Sequence, residues 1–286
     1  MERFAGVAPR YAQTPARWPD VMFAILKSDK MCIVQATSTT EEHMSRHVAI
    51  TRAIGSSLTD CELTFQARES IDLTEAILQH SAYCDALRQA GIALEVLPAV
   101  DHLPDAVFVE DTAVVLDELA VMTRPGSLTR REEVATVAVV LKRHRSLAYI
   151  EEPGTVDGGD ILTIGRQLFV GLSSRTNEAG CDQLSRAVKF HGYRVVPVRV
   201  DGCLHLKTAL SALDEETLLI NPNWIDAKKL RGFQRVQVAE AEPFAANCLA
   251  LNGVVYLSAR CDRTRELLEQ RGFVTRILKT TEFEKA

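Results

Sequence analysis

One order of elements recurs along this chain: an amphipathic helix, a short apolar strand, a polar loop and a β-hairpin. Such repetition constrains the fold more than any single boundary does, because no one unit can bury its apolar face without a neighbour. The order is traced from His47. A strand over 47–52 is followed by the polar stretch 56–68, after which Asp72 and Glu75 read as a capping box. The helix it opens carries Leu73, Ile77, Cys84 and Leu87 along one face and stops at Gly91. A buried strand over 92–97 leads to a loop with Pro104-Asp105, an extended Val107-Phe-Val109, the pair Glu110-Asp111, and a hairpin of 113–116 with 120–123. A helix over 131–143 then leads to a strand over 147–150, the loop holding Asp157, and a hairpin of 161–164 with 168–171. A helix over 177–190 leads to a strand over 193–198, the loop holding His205, and strands over 208–213 and 218–221. A weaker helix from Ile225 leads to a strand over 235–238, the Ala246-Asn247 loop, and a hairpin turning at Asn252-Gly253. A helix over 262–271 and a strand over 274–278 complete the series, so an α/β fold of five like units is expected. Each earlier strand leads into a polar loop; a further loop is expected after Leu278, and the last unit reads as cut short at Ala286.

The start of the chain stands apart. Pro9, Pro15 and Pro19 interrupt it, so residues 1–43 read as an irregular extension and 44–286 as a single domain. Neither a secretory signal nor an apolar run of membrane-spanning length is found, since Lys27 ends the run over 21–26. At 286 residues and 47% hydrophobic, the chain can bury a sizeable core. A net charge of −5 disfavours nucleic acid as a partner, which would call for a basic stripe, and Lys142-Arg143 and Lys228-Lys229 read as solvated faces. Seven cysteines without a C-x-x-C pair indicate neither a disulfide framework nor a zinc site and fit a reducing cytoplasm. Small molecules are the expected partners, and repeated sheet edges are compatible with a homodimer.

The chemistry-bearing residues cluster in the loops. In Thr155-Val-Asp-Gly-Gly-Asp160 two glycines between two carboxylates allow a tight turn and leave Asp157 free to face a cavity; a plain aspartate-stabilised turn is the other reading. His205, in Leu204-His-Leu-Lys207 at an expected strand start, is either a proton carrier or a core histidine bonded to a carbonyl. Asp105, Glu110 and Asp111 could together accept a planar guanidinium, or simply be solvated at a strand end. Arg130 and Arg175, each beside a helix start, could grip a carboxylate or lie on the surface. Cys203 and Cys248 read as small hydrophobes, and no cysteine stands out as a nucleophile.

Taken as a set, Leu103-Pro-Asp105, Phe108-Val-Glu-Asp111, Thr123-Arg-Pro-Gly126, Thr155-Val-Asp-Gly-Gly-Asp160, Ser174-Arg-Thr-Asn177, Leu204-His-Leu-Lys207 and Ala245-Ala-Asn-Cys248 resemble the dimethylarginine dimethylaminohydrolases, in order from about His47 onward. The resemblance implies a pentein fold, five ββαβ modules with pseudo-fivefold symmetry about a central channel, here with the last module truncated. It implies a guanidino substrate held by Asp105, Glu110 and Asp111, an amino-acid carboxylate held by Arg130 and Arg175, and Leu63 as a lid residue. His205 matches the catalytic histidine and Asp157 the acid that orients it. The implied reaction is thiolate attack on the guanidinium carbon, loss of a methylamine, and hydrolysis to citrulline, without metal or organic cofactor.

The sequence departs from the family in one respect. The nucleophilic cysteine of the pattern is expected a few residues beyond the match to Phe283-Glu-Lys-Ala286, so the chain as given is expected to lack it and to be inactive. An arginine deiminase or amidinotransferase relative and a non-catalytic arginine-binding protein are the competing readings. All share one structural expectation: Glu110, Asp157 and His205 should meet at one site.

Overall fold

Short apolar strands separated by tight turns can pair only with near neighbours, and here they do so in threes. The structure, a computed structural model, describes residues 47–286 in full and the backbone alone at 32–36 and 46. Among the described residues fifteen strands form five three-stranded sheets. The first unit comprises β1 (Cys32–Ala36), β2 (Arg46–Arg52), α1 (Leu73–Gln89) and β3 (Ala93–Leu97). The second comprises β4 (Ala113–Val115), β5 (Leu119–Met122), α2 (Glu133–Leu141) and β6 (Ser146–Tyr149), and the third β7 (Ile161–Ile164), β8 (Gln167–Leu172), α3 (Glu178–Val188) and β9 (Arg194–Arg199). The fourth opens with the short α4 (Leu206–Ala209) and continues with β10 (Leu210–Ala212), β11 (Thr217–Ile220) and β12 (Gln234–Gln237). The fifth holds β13 (Leu249–Leu251), β14 (Val254–Ser258), α5 (Asp262–Glu269) and β15 (Val274–Leu278). In each unit the first two strands form an antiparallel pair and the third runs parallel to the second.

A parallel return requires a crossover, and α1, α2, α3 and α5 supply it. Asp72 caps α1 by accepting from the amides of Thr74 and Glu75, and Gly91 beyond its end adopts φ +82°. Asn177 caps α3 through the amide of Gly180. In the fourth unit the helix expected from Ile225 is only a 3-10 turn, Ala227–Lys229, capped by Asp226. The Asn252-Gly253 turn has both φ values positive, 50° and 79°, as a two-residue hairpin loop demands.

Five apolar clusters join the units into a closed ring. Ile50 and Leu97 of the first unit pack with Val109, Ala113, Met122 and Val137 of the second. Similar clusters join the second to the third, the third to the fourth and the fourth to the fifth. The last closes the circle, because Tyr83, Leu87 and Ile92 of the first unit pack against Leu249, Leu251 and Tyr256 of the fifth. First strands face inward: β1 touches β4, β7 touches β10 and β10 touches β13. This is the pentein-type, pseudo-fivefold α/β arrangement, and the shortfall expected of the last module does not touch its three strands. No helix among the described residues is long and apolar enough to cross a membrane.

The structure corrects several expectations. β1 lies inside the stretch 1–43 set aside as an extension, and it supplies the first sheet's inner strand, so the boundary at residue 44 does not hold there. The remainder of 1–45 lies outside the described residues. The segment after Val107 is not extended; Val109–Thr112 is a 3-10 turn that carries Glu110 and Asp111 into the interior. His205 precedes α4, not a strand. Of the expected face of α1, Cys84 and Leu87 are buried but Ile77 is 54% exposed, because the buried face runs through Ala76, Gln79 and Tyr83. Gln79 holds that face, bonding Thr281 Oγ1 at 2.9 Å and the amide of Glu282 at 3.0 Å, a polar tie that hydrophobic periodicity does not reveal.

Closure of the ring predicts an asymmetric cost. Leu251→Ala, at the junction of the fifth and first units, is expected to lower stability by about 2–5 kcal/mol. Val139→Ala on the exposed face of α2 should change it by no more than about 0.5 kcal/mol, both read by urea denaturation.

Candidate active site

Four polar loops enter the first strands of their units at the same end of the ring axis. They are the turn Val109–Thr112 before β4, the turn Gly158–Asp160 before β7, His205 and α4 before β10, and 245–248 before β13. Glycine is required where the second, third and fourth units meet. A Cβ on Gly158 would lie 2.0 Å from the carbonyl oxygen of Glu110, and one on Gly159 would lie 2.8 Å from both Asp111 Oδ1 and the His205 ring. The amide of Gly159 instead donates to Asp111 Oδ1 at 2.9 Å.

The acid/base pair is buried and direct. His205 Nε2 lies 3.1 Å from Asp157 Oδ2, with His205 4% and Asp157 0% exposed. Asp157 is itself fixed: its Oδ1 accepts from the amide of Gly126 at 2.9 Å and its own amide donates to Thr176 Oγ1 at 3.0 Å. The second carboxylate of the loop, Asp160, accepts from the amide of Leu206 at 2.9 Å and from Ser173 Oγ at 2.7 Å, which anchors the start of α4. Burial pushes the Asp160 carboxyl up to about 6, although His205, Ser173 and Thr176 pull the other way.

The three carboxylates expected to take a guanidinium are all buried, and two are matched by cations of this chain. Arg130 Nη1 lies 2.6 Å from Asp111 Oδ2, and its Nε and Nη2 lie 3.0 and 2.8 Å from the oxygens of Glu133. Burial alone would lower the pKa of Arg130; Glu133 and Asp111 outweigh it and hold the guanidinium above its ordinary range. Lys207 pairs with Glu110. Asp105 Oδ2 accepts from the amide of Glu62 at 3.1 Å.

A narrow cleft opens over this network. Asp105, Arg130, Arg175 and His205 line it, together with Glu62, Phe108, Lys207 and Asn247, and Ala286 also reaches it. Asp157 stands behind His205, while Glu110 and Asp111 sit fully buried behind Lys207 and Arg130. Arg130 is therefore no surface arginine but one of the most enclosed charges in the protein, 4% exposed. Arg175 Nη1 reaches Glu62 Oε2 at 3.3 Å and its Nη2 reaches Thr64 Oγ1 at 3.0 Å. Leu63 lies between those two residues on the loop over the cleft and packs, partly buried, on the cluster of Phe108 and Phe283.

Sequence reasoning did not single out Glu62, Lys207 or Glu133. Glu133 stands three residues after Arg130, a spacing at which a charge partner can be sought, whereas Lys207 pairs with Glu110, 97 positions away, which no local spacing indicates. Glu62 left no local signal, because its partners Arg175, Ser127 and Thr129 are distant in sequence.

The six cysteines with described side chains, Cys61, Cys84, Cys181, Cys203, Cys248 and Cys261, are all buried, and none lines the cleft. Burial pushes the thiols of Cys61 and Cys181 up to about 11, and those of Cys248 and Cys261 up to about 12. Such thiols are core hydrophobes, not thiolates. Asp111, Asp157 and His205 offer ligand atoms within 4.8 Å of one another, yet Arg130 already lies against Asp111 and a metal ion would have to compete with it.

Known proteins share this architecture. The family described as N,N dimethylarginine dimethylhydrolase, eukaryotic, matches residues 58–253. The chain is 34% identical over 244 residues to the N(G),N(G)-dimethylarginine dimethylaminohydrolase of Pseudomonas aeruginosa, spanning 85% of this chain and 95% of that protein. The chain belongs to the dimethylarginine dimethylaminohydrolase family. It is also 39% identical over 239 residues to the enzyme of that name from Streptomyces coelicolor, covering 83% of this chain and 92% of the relative. A crystal structure of the Pseudomonas aeruginosa dimethylarginine dimethylaminohydrolase, a cysteine-to-serine variant in complex with citrulline, superposes with a TM-score of 0.77 at 33% identity. That superposition covers 83% of this chain and 94% of the other. The N-terminal domain of a cyanobacterial arginine dihydrolase shares the fold at 21% identity with a TM-score of 0.74. Membership places the chain in a family of guanidino hydrolases.

Two measurements probe this dimethylarginine dimethylaminohydrolase-type site. Because the carboxyl of Asp160 titrates higher in the folded than in the unfolded chain, its contribution to stability is complete below about pH 4 and is lost as pH rises through about 6. Asp160→Asn should flatten that decline in urea melts run across pH 4–7. Gly159→Ala is expected to cost about 1–3 kcal/mol, because the backbone or the His205 ring must move away from the new methyl; thermal denaturation checks the loss.

Proposed function

We propose that this protein hydrolyses Nω-methylated arginines to citrulline and a methylamine, and that Asp105, Glu110 and Asp111 take the guanidinium. Arg130 and Arg175 take the amino-acid carboxylate, and Leu63 covers the bound molecule. The observation that carries the reading is the buried His205–Asp157 pair at 3.1 Å, set against Asp111 beneath a cleft lined by both arginines. Asp157 keeps the imidazole oriented, and a proton on His205 is available to a leaving group in the cleft. Because Arg130 and Lys207 already sit on Asp111 and Glu110, Asp105 is the member of the trio that lines the cleft directly.

In the reaction a thiolate attacks the guanidinium carbon, a C–S bond forms, and the C–N bond to the methylated nitrogen breaks as that nitrogen takes the proton from His205. Water then attacks the same carbon, gives its proton to His205, and the C–S bond breaks to leave the ureido group of citrulline. The six described thiols are buried, outside the cleft and, for four of them, held protonated, so the nucleophile in this reading is none of them. Ala286 lines the cleft, so a thiol a few residues beyond it could reach the guanidinium carbon.

The test compares the 286-residue chain with one carrying an added Gly-Gly-Leu-Thr-Cys tail, assayed for citrulline from dimethylarginine. Both should bind the amino acid, and the tailed protein should turn over at least about a thousandfold faster. Equal turnover would put the thiol elsewhere, and mapping the trapped thiouronium adduct by mass spectrometry would name it, with Cys32 at the start of β1 among the candidates. Binding by both proteins without turnover by either would favour a non-catalytic arginine-binding protein.

A further inference from the structure

Glu62 lines the cleft yet takes no part in the reaction above. Its contacts are unusually convergent for a loop carboxylate. Its Oε1 accepts from Ser127 Oγ at 2.6 Å and from Thr129 Oγ1, its Oε2 faces Arg175 Nη1 at 3.3 Å, and its own amide donates to Asp105. Ser127 and Thr129 stand just before Arg130, so Glu62 lies at the end of the cleft where both arginines are found. Burial pushes its carboxyl up, but the two hydroxyls and Arg175 outweigh that and keep it below the usual carboxylate range. An anion fixed by three segments of chain, one-third exposed and facing the cleft, is set for recognition more than for stability.

We propose that Glu62 binds the α-ammonium group of the substrate, so that the amino-acid end inserts between Glu62 and Arg175 as a zwitterion. This rests on the reading of the cleft as a guanidino amino-acid site. The electrostatic argument is an exchange of partners. The Arg175–Glu62 contact is long and partly exposed, and a zwitterion replaces it with two ion pairs, carboxylate on Arg175 and ammonium on Glu62, leaving no charge unmatched. A ligand with a carboxylate but no ammonium would set two anions, its own and Glu62, on one guanidinium. The site therefore selects free amino acids over des-amino guanidino acids by repulsion as well as by attraction.

The test is isothermal titration of the 286-residue protein with Nω-methylarginine and with its des-amino counterpart, 5-(N′-methylguanidino)pentanoate. The unaltered protein should bind the amino acid at least about tenfold more tightly, the worth of one charge-assisted hydrogen bond. Glu62→Gln keeps the size and the hydroxyl partners, and should bring the two affinities within about threefold of each other by weakening the amino acid and tightening the des-amino compound. Should Glu62→Gln not fold, Glu62→Asp carries the same test, with the preference reduced instead of lost. An unchanged preference overturns the assignment, as does equal tightening of both ligands, which would make Glu62 a mere competitor for Arg175. Absence of binding by either compound to the unaltered protein overturns instead the guanidino reading on which the proposal rests.

Discussion

Asp105, Glu110, Asp111, Glu133, Asp157, Asp160, Arg130, His205 and Lys207 meet at one end of the ring with almost no contact with water. Removing a single charge from water into a protein interior costs several kcal/mol unless another charge or a set of hydrogen bonds replaces the solvent. Here the replacements are supplied across unit boundaries. Lys207 of the fourth unit neutralises Glu110 of the second, the amide of Gly159 in the third reaches Asp111 in the second, and Asp157 of the third orients His205 of the fourth. The network holds only if the units sit in one register about the axis, so it depends on the ring and in turn discriminates against any other arrangement.

The ring meets that requirement through its inner strands. Each polar loop runs directly into the first strand of its unit, and the antiparallel hairpin that follows carries the chain back outward. A loop therefore cannot shift along the axis without pulling its strand out of a sheet and an apolar cluster out of a joint. The glycines at 158 and 159 let three loops approach until backbone meets backbone, a distance at which any side chain would intervene. Strength is thus drawn from apolar joints between units, and the polar centre is left to position groups.

That division bears on chemistry. A histidine whose partner carboxylate is fully buried and tied to two further groups has little freedom to reorient, which favours repeated proton transfer in one direction of space. Cys248 and Cys261 lie on the other side of the division, packed in a joint with thiols that burial keeps protonated. Where Arg175 meets Glu62 the pairing is looser: the contact is 3.3 Å and the Glu62 side chain is one-third exposed.

Much of this was legible in one dimension. Periodic apolar residues, the cap at Asp72, the stop at Gly91 and the Asn252-Gly253 turn located most of the strands and helices, because those signals act within a few residues of chain. The motif order around Asp105, Asp157 and His205 was enough to indicate the family and hence the five-unit ring. Three features were not legible. The inner strand β1 draws its partner from across a stretch without pattern, the turn at Val109–Thr112 carries Glu110 to Lys207 of the fourth unit and Asp111 to Arg130, 19 positions on, and Glu62 meets Arg175, 113 positions away. By itself the sequence determined which elements form and in what order, since propensity, capping and turn geometry are local. Only the tertiary structure decided which charges face which, because the energy of a buried ion pair depends on distance through space and not on separation along the chain.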